Sequence, residues 1–194
     1  MKRYDAIKAV VKDLNDELII SNIGVPSKEL HEIRESKNNF YMLGSMSMAT
    51  PIGLGLSMAL EKNNDNRKVI VLDGDGSVLM NLGELVTVYV QNPINLIVVI
   101  IDNEAYGSTG SQKTYASEVN IANIARSVGI KEVYYIDAKD NTDHIDMKEY
   151  LNKKGPIVLH IKVNAGNSDA KNIKYTPSKI KNRFMKSIQK RLMK

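Results

Sequence analysis

The sequence predicts an α/β fold: a single doubly wound, mainly parallel sheet with helices on both faces. Short apolar segments rich in Val and Ile alternate with segments of helical period, which is typical of parallel sheets covered on both faces. The longest apolar run, residues 96–101, has the length of a strand and falls well short of the roughly 18–20 residues of a membrane helix. No internal repeat or low-complexity linker interrupts the alternation, so we expect one domain.

The first half of the chain predicts five elements. Apolar residues spaced three or four positions apart indicate helices, and unbroken β-branched runs indicate strands. Ser, Thr and Pro favour the first positions of a helix. We predict a helix over 2–14, a strand over 17–24, a helix from an N-cap at Ser27 to about 35, a strand over 40–43, and a helix from Thr50-Pro51 to about 62.

The second half continues the alternation to the C-terminus. We predict strands over 68–72, 95–102, 132–137 and 156–163, helices over about 77–90, 120–127 and 143–152, a polar loop over 103–114, and a basic helix from Ser178. Each strand is therefore followed by a helix or a polar loop. This order is the one expected for a sheet whose crossover connections cover both faces.

Composition excludes several classes of function. The 194 residues contain no cysteine, so disulfides, thiolate metal sites and cysteine nucleophiles are excluded, and a reducing cytoplasm is the expected location. The N-terminus does not resemble a signal peptide. We therefore expect a cytoplasmic protein with no membrane partner.

The positive charge is concentrated at the C-terminus. The net charge is +5, but residues 171–194 hold nine Lys/Arg and no Asp or Glu, which leaves 18 Lys/Arg and 22 Asp/Glu for the rest. We therefore predict a ligand-binding domain over 1–170 and a basic C-terminal helix or tail over 171–194. A solvated helix face, or one against a partner subunit, is favoured over nucleic-acid binding, because the body has no patch that combines aromatic and basic residues.

Four predicted loops carry most of the unusual residues. They span 22–27, 44–50, 73–77 and 102–114, and each of them lies at the end of a predicted strand. In open α/β sheets the ligand binds outside the carboxyl ends of the strands. We therefore expect the functional site where these loops meet.

The segment Asp-Gly-Asp-Gly-Ser at 73–77 predicts a magnesium-diphosphate site. Gly74, Gly76 and Ser77 open a helix, where free N–H groups and the helix dipole favour phosphate. The carboxylate of Asp75 would repel phosphate unless a divalent cation bridged the two. Asn103 ends the next apolar strand 28 positions later and offers a second oxygen ligand of the kind that magnesium accepts.

Other interpretations of this segment fit less well. A calcium-binding EF-hand loop requires Gly where Val78 stands. The P-loop pattern is absent, and the glycines of 53–59 place the last small residue of a dinucleotide fingerprint one position late. Gly53 and Gly55 are better explained by close helix packing. A plain tight turn remains open, although the spacing to Asn103 argues against it.

The motifs resemble those of a known enzyme family. Gly-Asp-Gly-Ser at 74–77 followed by Asn103 resembles the thiamine-diphosphate motif of the 2-oxo-acid decarboxylase and acetolactate synthase family. The segment LGSMSMATPIGLGLSMAL at 43–60 is similar to the family's contact with the aminopyrimidine ring, and YGSTGSQKT at 106–114 to the stretch after its metal-binding Asn. The resemblance runs from about residue 15 to 165.

The resemblance implies a set of cofactor-binding residues. Asp75, Asn103 and the main-chain carbonyl of Ala105 would bind Mg²⁺, and the glycines at 74 and 76 with Ser77 would hold the diphosphate of thiamine diphosphate. The segment Gly44, Ser45 and Met46 would contact the pyrimidine ring, with the Met46 side chain wedged beneath the cofactor. Core filling is the alternative use of a methionine.

The resemblance also implies a missing part. Family members of full length carry a pyrimidine-binding domain that supplies an activating Glu, and no Glu here stands in a matching context. We therefore expect a separate α subunit that carries this domain and its Glu. The length and the segment SNIGVPSKEL at 21–30 resemble the sulfopyruvate and phosphonopyruvate decarboxylase branch, which implies decarboxylation of a small 2-oxo acid, with 3-sulfopyruvate and coenzyme M biosynthesis as the first choice.

Candidate catalytic and substrate residues follow from the same resemblance. Tyr106, Ser108 and Thr109 would lie near the reacting carbon, and Thr109 replaces the Glu that pyruvate decarboxylases carry six residues after the metal-binding Asn. The candidate substrate contacts are Lys113, Gln112, Asn22 and Ser27.

Three other functions stay open at this point. The first is a phosphonopyruvate decarboxylase-type subunit. The second is the thiamine-diphosphate subunit of a 2-oxo-acid oxidoreductase, and the third is a non-enzymatic binding module.

Overall fold

The computed structural model describes residues 1–140 and 145–192 and contains a six-stranded parallel sheet. Its strands in chain order are β1 (Leu18–Ser21), β2 (Asn39–Tyr41), β3 (Val69–Gly74), β4 (Leu96–Asp102), β5 (Ala105–Tyr106), β6 (Gln112–Lys113), β7 (Glu132–Asp137) and β8 (Ile157–Lys162). The sheet has the order β2-β1-β3-β4-β8-β7 with parallel pairs throughout, and β5 and β6 form a separate antiparallel hairpin. The predicted parallel sheet is confirmed.

Helices cover both faces of the sheet, as predicted. They are α1 (Arg3–Val11), α2 (Val25–Ile33), α3 (Ala49–Lys62), α4 (Asp75–Met80), α5 (Gly83–Gln91), α6 (Ile121–Val128), α7 (Met147–Leu151) and α8 (Pro177–Leu192). Alternate residues of a strand point to opposite faces, so Ile70 and Leu72 pack with α1, α2 and α7. Val69 and Val71 pack with the opposite layer, which contains α3, α4, α5 and α6.

The structure corrects several predicted element boundaries. The helix predicted over 77–90 is two helices, because the chain turns at Asn81 and Leu82. Ser27 is not an N-cap: α2 follows Gly24, whose φ is +78°, and the Ser27 hydroxyl donates to the Asn22 carbonyl at 2.7 Å. Helix α3 begins one residue before Thr50.

Two further segments differ from the prediction. The loop over 103–114 contains the β5–β6 hairpin, followed by a single 3₁₀ turn at Tyr115–Ser117. The helix predicted over 143–152 spans only Met147–Leu151, with Asp146 as its N-cap, and positions 143 and 144 lie outside the described residues. Short polar segments of this kind lack the apolar periodicity that identifies longer elements.

One of the two glycines assigned to close helix packing has that role. A Cβ at Gly53 would lie 2.2 Å from Cγ2 of Val71, so α3 approaches β3 too closely for any side chain there. The same assignment is wrong for Gly55, because a Cβ there would meet nothing within 4 Å.

The basic C-terminal helix packs on the domain. Ile180, Phe184 and Ile188 of α8 are buried, and Arg67 donates to the Ser187 carbonyl at 3.3 Å. The basic side chains of α8 therefore belong to a helix with an apolar face on the body. The division at residue 171 stays a prediction. In the part of the chain that the structure covers, no helix is long and apolar enough to cross a membrane.

Candidate functional site

A cleft lies at the carboxyl edge of the sheet, where the strand-end loops meet. Its walls contain ten of the residues predicted from the sequence: Asn22, Met46, Gly74, Asp75, Gly76, Ser77, Asn103, Ala105, Tyr106 and Ser108. The remaining lining residues include Arg3, Ile23, Val25, Pro26, Asp73 and Gly107. The four loops selected from the sequence therefore supply most of the cleft.

Strand register places Asp75 beside Asn103. Strands β3 and β4 are neighbours, and Gly74 pairs with Ile101. The next residues of the two strands are thus Asp75 and Asp102, with Asn103 one position further along. The carboxylate and the amide therefore project from adjacent strand ends into one cleft, as the spacing predicted.

The Asp75 carboxyl is held in a buried, polar environment. It is 2% exposed, and the Thr114 hydroxyl donates to its Oδ2. The pKa of Asp75 is raised to about 6, mainly by burial and also by the Asp102 carboxylate, while the bond from Thr114 lowers it in part. A divalent cation beside Asp75 would offset the cost of burying this charge.

The Asn103 side chain offers unused bonding capacity. It is 5% exposed, and its amide Nδ2 is buried without a hydrogen-bond partner among the described residues. Its Oδ1 accepts only a long bond, 3.4 Å, from the Ala105 N–H. Buried polar atoms are normally paired, so this amide fits a site that a ligand completes.

The oxygen groups present suit a hard divalent cation such as Mg²⁺ better than zinc or copper. Among the described residues no three His, Cys, Asp or Glu side chains converge as a metal-binding cluster. Asp75, Asn103 and the Ala105 carbonyl would provide a few oxygen ligands, and Mg²⁺ commonly takes the rest from phosphate and water. The residues present fit a magnesium-diphosphate group.

A buried polar network fixes the turn that presents Asn103. Asp102 is fully buried, and its Oδ1 accepts from the Glu104 N–H at 3.0 Å. Its Oδ2 bonds to His160 Nε2 at 2.8 Å and accepts from Lys162 Nζ at 3.0 Å. Burial raises the pKa of Asp102, but the bonds from His160 and Lys162 outweigh it and hold that pKa below its usual value.

The tautomer of His160 follows from its second ring nitrogen. Nδ1 accepts from the Ala122 N–H in the first turn of α6 at 3.3 Å. Nε2 therefore carries the proton and donates a hydrogen bond to the Asp102 carboxylate. His160 is thus a structural link between α6 and the turn after β4.

The loop that contains Met46 is attached to α4. The Ser47 N–H donates to the Ser77 hydroxyl at 3.0 Å, and the Asn81 amide donates to the Ser47 carbonyl at 3.3 Å. Ser45 and Ser47 have φ of 58° and 74°, in the left-handed region. The resulting turn brings the Met46 side chain into the cleft wall, whereas Gly44 and Ser45 are exposed outside it.

The Tyr106 ring packs on Gly76, in the first turn of α4. A Cβ at Gly76 would lie 2.3 Å from Cε1 of the Tyr106 ring. Gly76 is therefore required by the close approach of Tyr106, a reason that differs from backbone contact with a ligand. Tyr106 is half-buried and Ser108 is exposed at the cleft wall.

One predicted catalytic residue, Thr109, and three predicted substrate residues lie away from the cleft wall. Thr109 and Gln112 are exposed and bond to each other at 2.9 Å in the hairpin turn. Lys113 is exposed on β6, and Ser27 is buried behind the loop with its hydroxyl on main-chain carbonyls. The structure therefore does not bring these four residues together with Asp75.

Sequence reasoning missed other polar residues around the cleft. Thr114 lies 39 positions from its partner Asp75, and Arg3 lies 26 positions from its partner Glu29. Neither pairing has a local sequence signal, because each arises from tertiary packing. Asp102 could have been found, since a carboxylate at the end of an otherwise apolar strand is costly unless it is paired.

Comparison with known proteins identifies the family. Residues 23–161 match the family model described as thiamine pyrophosphate enzyme, C-terminal TPP binding domain. This match covers the four strand-end loops except for position 22. The sequence resemblance to thiamine-diphosphate enzymes is thereby confirmed.

Curated relatives match the chain over nearly its full length. The proteins named sulfopyruvate decarboxylase subunit beta from Methanothermobacter thermautotrophicus and Methanocaldococcus jannaschii are 43% and 44% identical, over 97% of this chain and 96% and 98% of their own lengths. The sulfopyruvate decarboxylase of Methanosarcina acetivorans is 37% identical, over 97% of this chain but 47% of its own length.

A solved structure supports the fold. A putative thiamin diphosphate-dependent enzyme from Mycobacterium smegmatis superimposes with a TM-score of 0.70 at 16% identity, over 86% of this chain and 32% of that one. The six-stranded sheet with helices on both faces is therefore an arrangement that such an enzyme also contains.

Proposed function

This chain belongs to the thiamine pyrophosphate enzyme family, and we propose that it is the diphosphate-binding subunit of a decarboxylase that converts 3-sulfopyruvate to sulfoacetaldehyde and CO₂. One observation carries the proposal: Asp75 and the unpaired amide of Asn103 project from adjacent strand ends into one cleft. The names of the full-length relatives support the substrate. The cytoplasm is the proposed location.

The residues of the cleft would hold thiamine diphosphate with Mg²⁺. Asp75, Asn103 and the Ala105 carbonyl would bind the metal, and the start of α4 at Gly76 and Ser77 would face the diphosphate. Bound thiamine diphosphate supplies an electron sink that accepts the pair left when the substrate carboxylate departs as CO₂. The protein's contribution is to bind and orient the reacting groups and to limit their contact with water.

Two parts of the chain would orient those groups. The Met46 loop, attached to Ser77 and Asn81 through Ser47, would hold the Met46 side chain in the cleft wall against the cofactor. Tyr106, packed on Gly76, and the neighbouring Ser108 would face the substrate from the opposite loop. Groups held by packing and by second hydrogen bonds keep the geometry that catalysis needs.

A separate α subunit would complete the site. We propose that it carries the pyrimidine-binding domain and the Glu that activates the cofactor. The relative from M. acetivorans supports this, because the chain matches only 47% of that single polypeptide. The subunit designation of the full-length relatives points in the same direction.

Calorimetry and an activity assay together test the proposal. Thiamine diphosphate should bind only with Mg²⁺, and Asp75→Asn should abolish that binding without a change in far-UV circular dichroism. The mixture of this chain with its α subunit should release sulfoacetaldehyde from 3-sulfopyruvate. If the mixture turned over phosphonopyruvate but not 3-sulfopyruvate, phosphonopyruvate would become the proposed substrate. Binding of thiamine diphosphate without Mg²⁺ would refute the metal site.

A further inference from the structure

One cation faces the cleft, and it comes from an element that the motifs do not include. Arg3, in the first turn of α1, is the one Lys or Arg among the residues that line the cleft within the described part of the chain. It is 5% exposed. Arginine is rarely buried to this extent without a specific role for its charge.

A carboxylate orients the Arg3 guanidinium from one side. Nε donates to Glu29 Oε2 at 2.8 Å and Nη2 to Glu29 Oε1 at 3.3 Å, while the fully buried Glu29 also accepts from the Ser168 hydroxyl at 2.9 Å. Because Glu29 is held by its own contacts, it fixes the plane of the guanidinium. The pairing is bidentate, the geometry in which arginine is most rigid.

The far edge of the guanidinium remains available. Nη2 also donates to Asn167 Oδ1 at 2.8 Å, and the Asn167 amide donates to the Gly107 carbonyl. Nη1 donates to no residue that the structure describes, and a Cβ at Gly107 would lie 3.5 Å from it. An arginine has five N–H donors, so both donors on Nη1 are free beside the 105–108 wall of the cleft.

We propose that Arg3 is the anion receptor of the cleft and that Nη1 binds an oxyanion group of the bound ligand. The inference rests on the proposed function, in which two ligand groups carry this chemistry: the acidic group of the substrate and the diphosphate of the cofactor. A sulfonate, phosphonate or phosphate offers the oxygen acceptors that a guanidinium edge fits. Arg3 thus takes the role that the sequence assigned to Lys113, which is exposed on β6.

The test compares four variants of the full chain, assembled with its α subunit. Arg3→Gln removes the cation. Arg3→Lys keeps a positive charge for Glu29 but removes the two free N–H donors on Nη1. Glu29→Gln breaks the same ion pair yet keeps the guanidinium. Lys8→Gln changes an exposed cation of the same helix and is the matched control.

Two probes distinguish the sources of the oxyanion. Binding of 3-sulfopropanoate, a sulfonate without the reactive 2-oxo group, reports on the substrate, and binding of magnesium pyrophosphate reports on the cofactor. We expect Arg3→Gln and Arg3→Lys to lower the affinity for one of the two probes by about tenfold or more, the effect of losing a charged hydrogen bond. Glu29→Gln, whose amide oxygen still accepts one of the two guanidinium bonds, should weaken binding of that probe clearly less than Arg3→Gln does, and Lys8→Gln should have no effect.

The alternative is that Arg3 only clamps α1 to α2. In that case Arg3→Gln and Glu29→Gln would weaken binding equally, in step with their losses of thermal stability, and the proposal would be refuted. An unchanged affinity for both probes in Arg3→Lys, or no binding of either probe to the wild-type enzyme, would also overturn it. Failure of the proposed function is a separate result, namely binding without sulfopyruvate turnover.

Discussion

Glu84 provides a prediction that does not depend on a ligand. It stands near the start of α5, is 4% exposed, and both of its carboxyl oxygens are buried without a hydrogen-bond partner among the described residues. The nearby Thr50 hydroxyl donates to Asp73 at 3.0 Å instead. The pKa of Glu84 is raised to about 9, mainly by burial and also by the Asp73 carboxylate, while Thr50 lowers it in part.

The raised pKa makes the stability depend on pH. The unfolded chain releases this proton near 4.5 and the folded chain near 9, so the free energy of unfolding should fall as the pH rises through that window. Each pH unit costs about 1.4 kcal/mol, which gives about 3 kcal/mol at pH 7. Glu84→Gln, which has nearly the same shape and cannot ionise, should remove this loss.

Urea unfolding between pH 5 and pH 8 measures the effect. We expect Glu84→Gln and wild type to have nearly equal free energies of unfolding at pH 5, with the variant more stable by about 3 kcal/mol at pH 7. Glu118→Gln, at an exposed position, is the control and should follow wild type throughout. Parallel pH profiles for Glu84→Gln and wild type would contradict the raised pKa of Glu84.

Three further predictions concern the metal ligand, the helix–sheet contact and the C-terminal helix. Asp75→Ala should abolish magnesium-dependent binding of thiamine diphosphate in calorimetry while the fold persists; retained binding would contradict the ligand assignment. Gly53→Ala should lower the free energy of unfolding by about 1–3 kcal/mol through overpacking on β3, whereas Gly55→Ala should raise it by up to about 1 kcal/mol through helix propensity; equal effects would contradict the packing. Phe184→Ala should cost about 3 kcal/mol in urea unfolding, and Met185→Ala, on the exposed side of the same helix, less than about 0.5 kcal/mol; similar losses would mean that α8 does not pack as described.

The sequence predicted the sheet because its strands are strongly patterned. The runs at 68–72, 95–102 and 156–163 are apolar and β-branched, and each coincides with a strand of the structure to within two residues at either end. The loop between 103 and 114 has no such pattern: its β5–β6 hairpin pairs only two residues of each strand, and those of β6 are exposed. Weak local signals therefore account for the missed hairpin.

The candidate site was predictable where residues follow strands directly. Asp75 and Asn103 come together because adjacent parallel strands end at one edge, a consequence of topology that spacing reveals. Arg3, Glu84 and Thr114 were not predictable in this way. Their surroundings depend on helix packing and on contacts between distant segments, for which the sequence contains no periodic signal.

We propose that this chain holds half of a shared decarboxylase site. The most direct measurement is sulfoacetaldehyde formation from 3-sulfopyruvate with thiamine diphosphate and Mg²⁺, for this chain alone and for its mixture with the α subunit. We expect product from the mixture only, and none when the mixture contains Asp75→Ala. Product from this chain alone, or undiminished product with Asp75→Ala, would contradict the shared site.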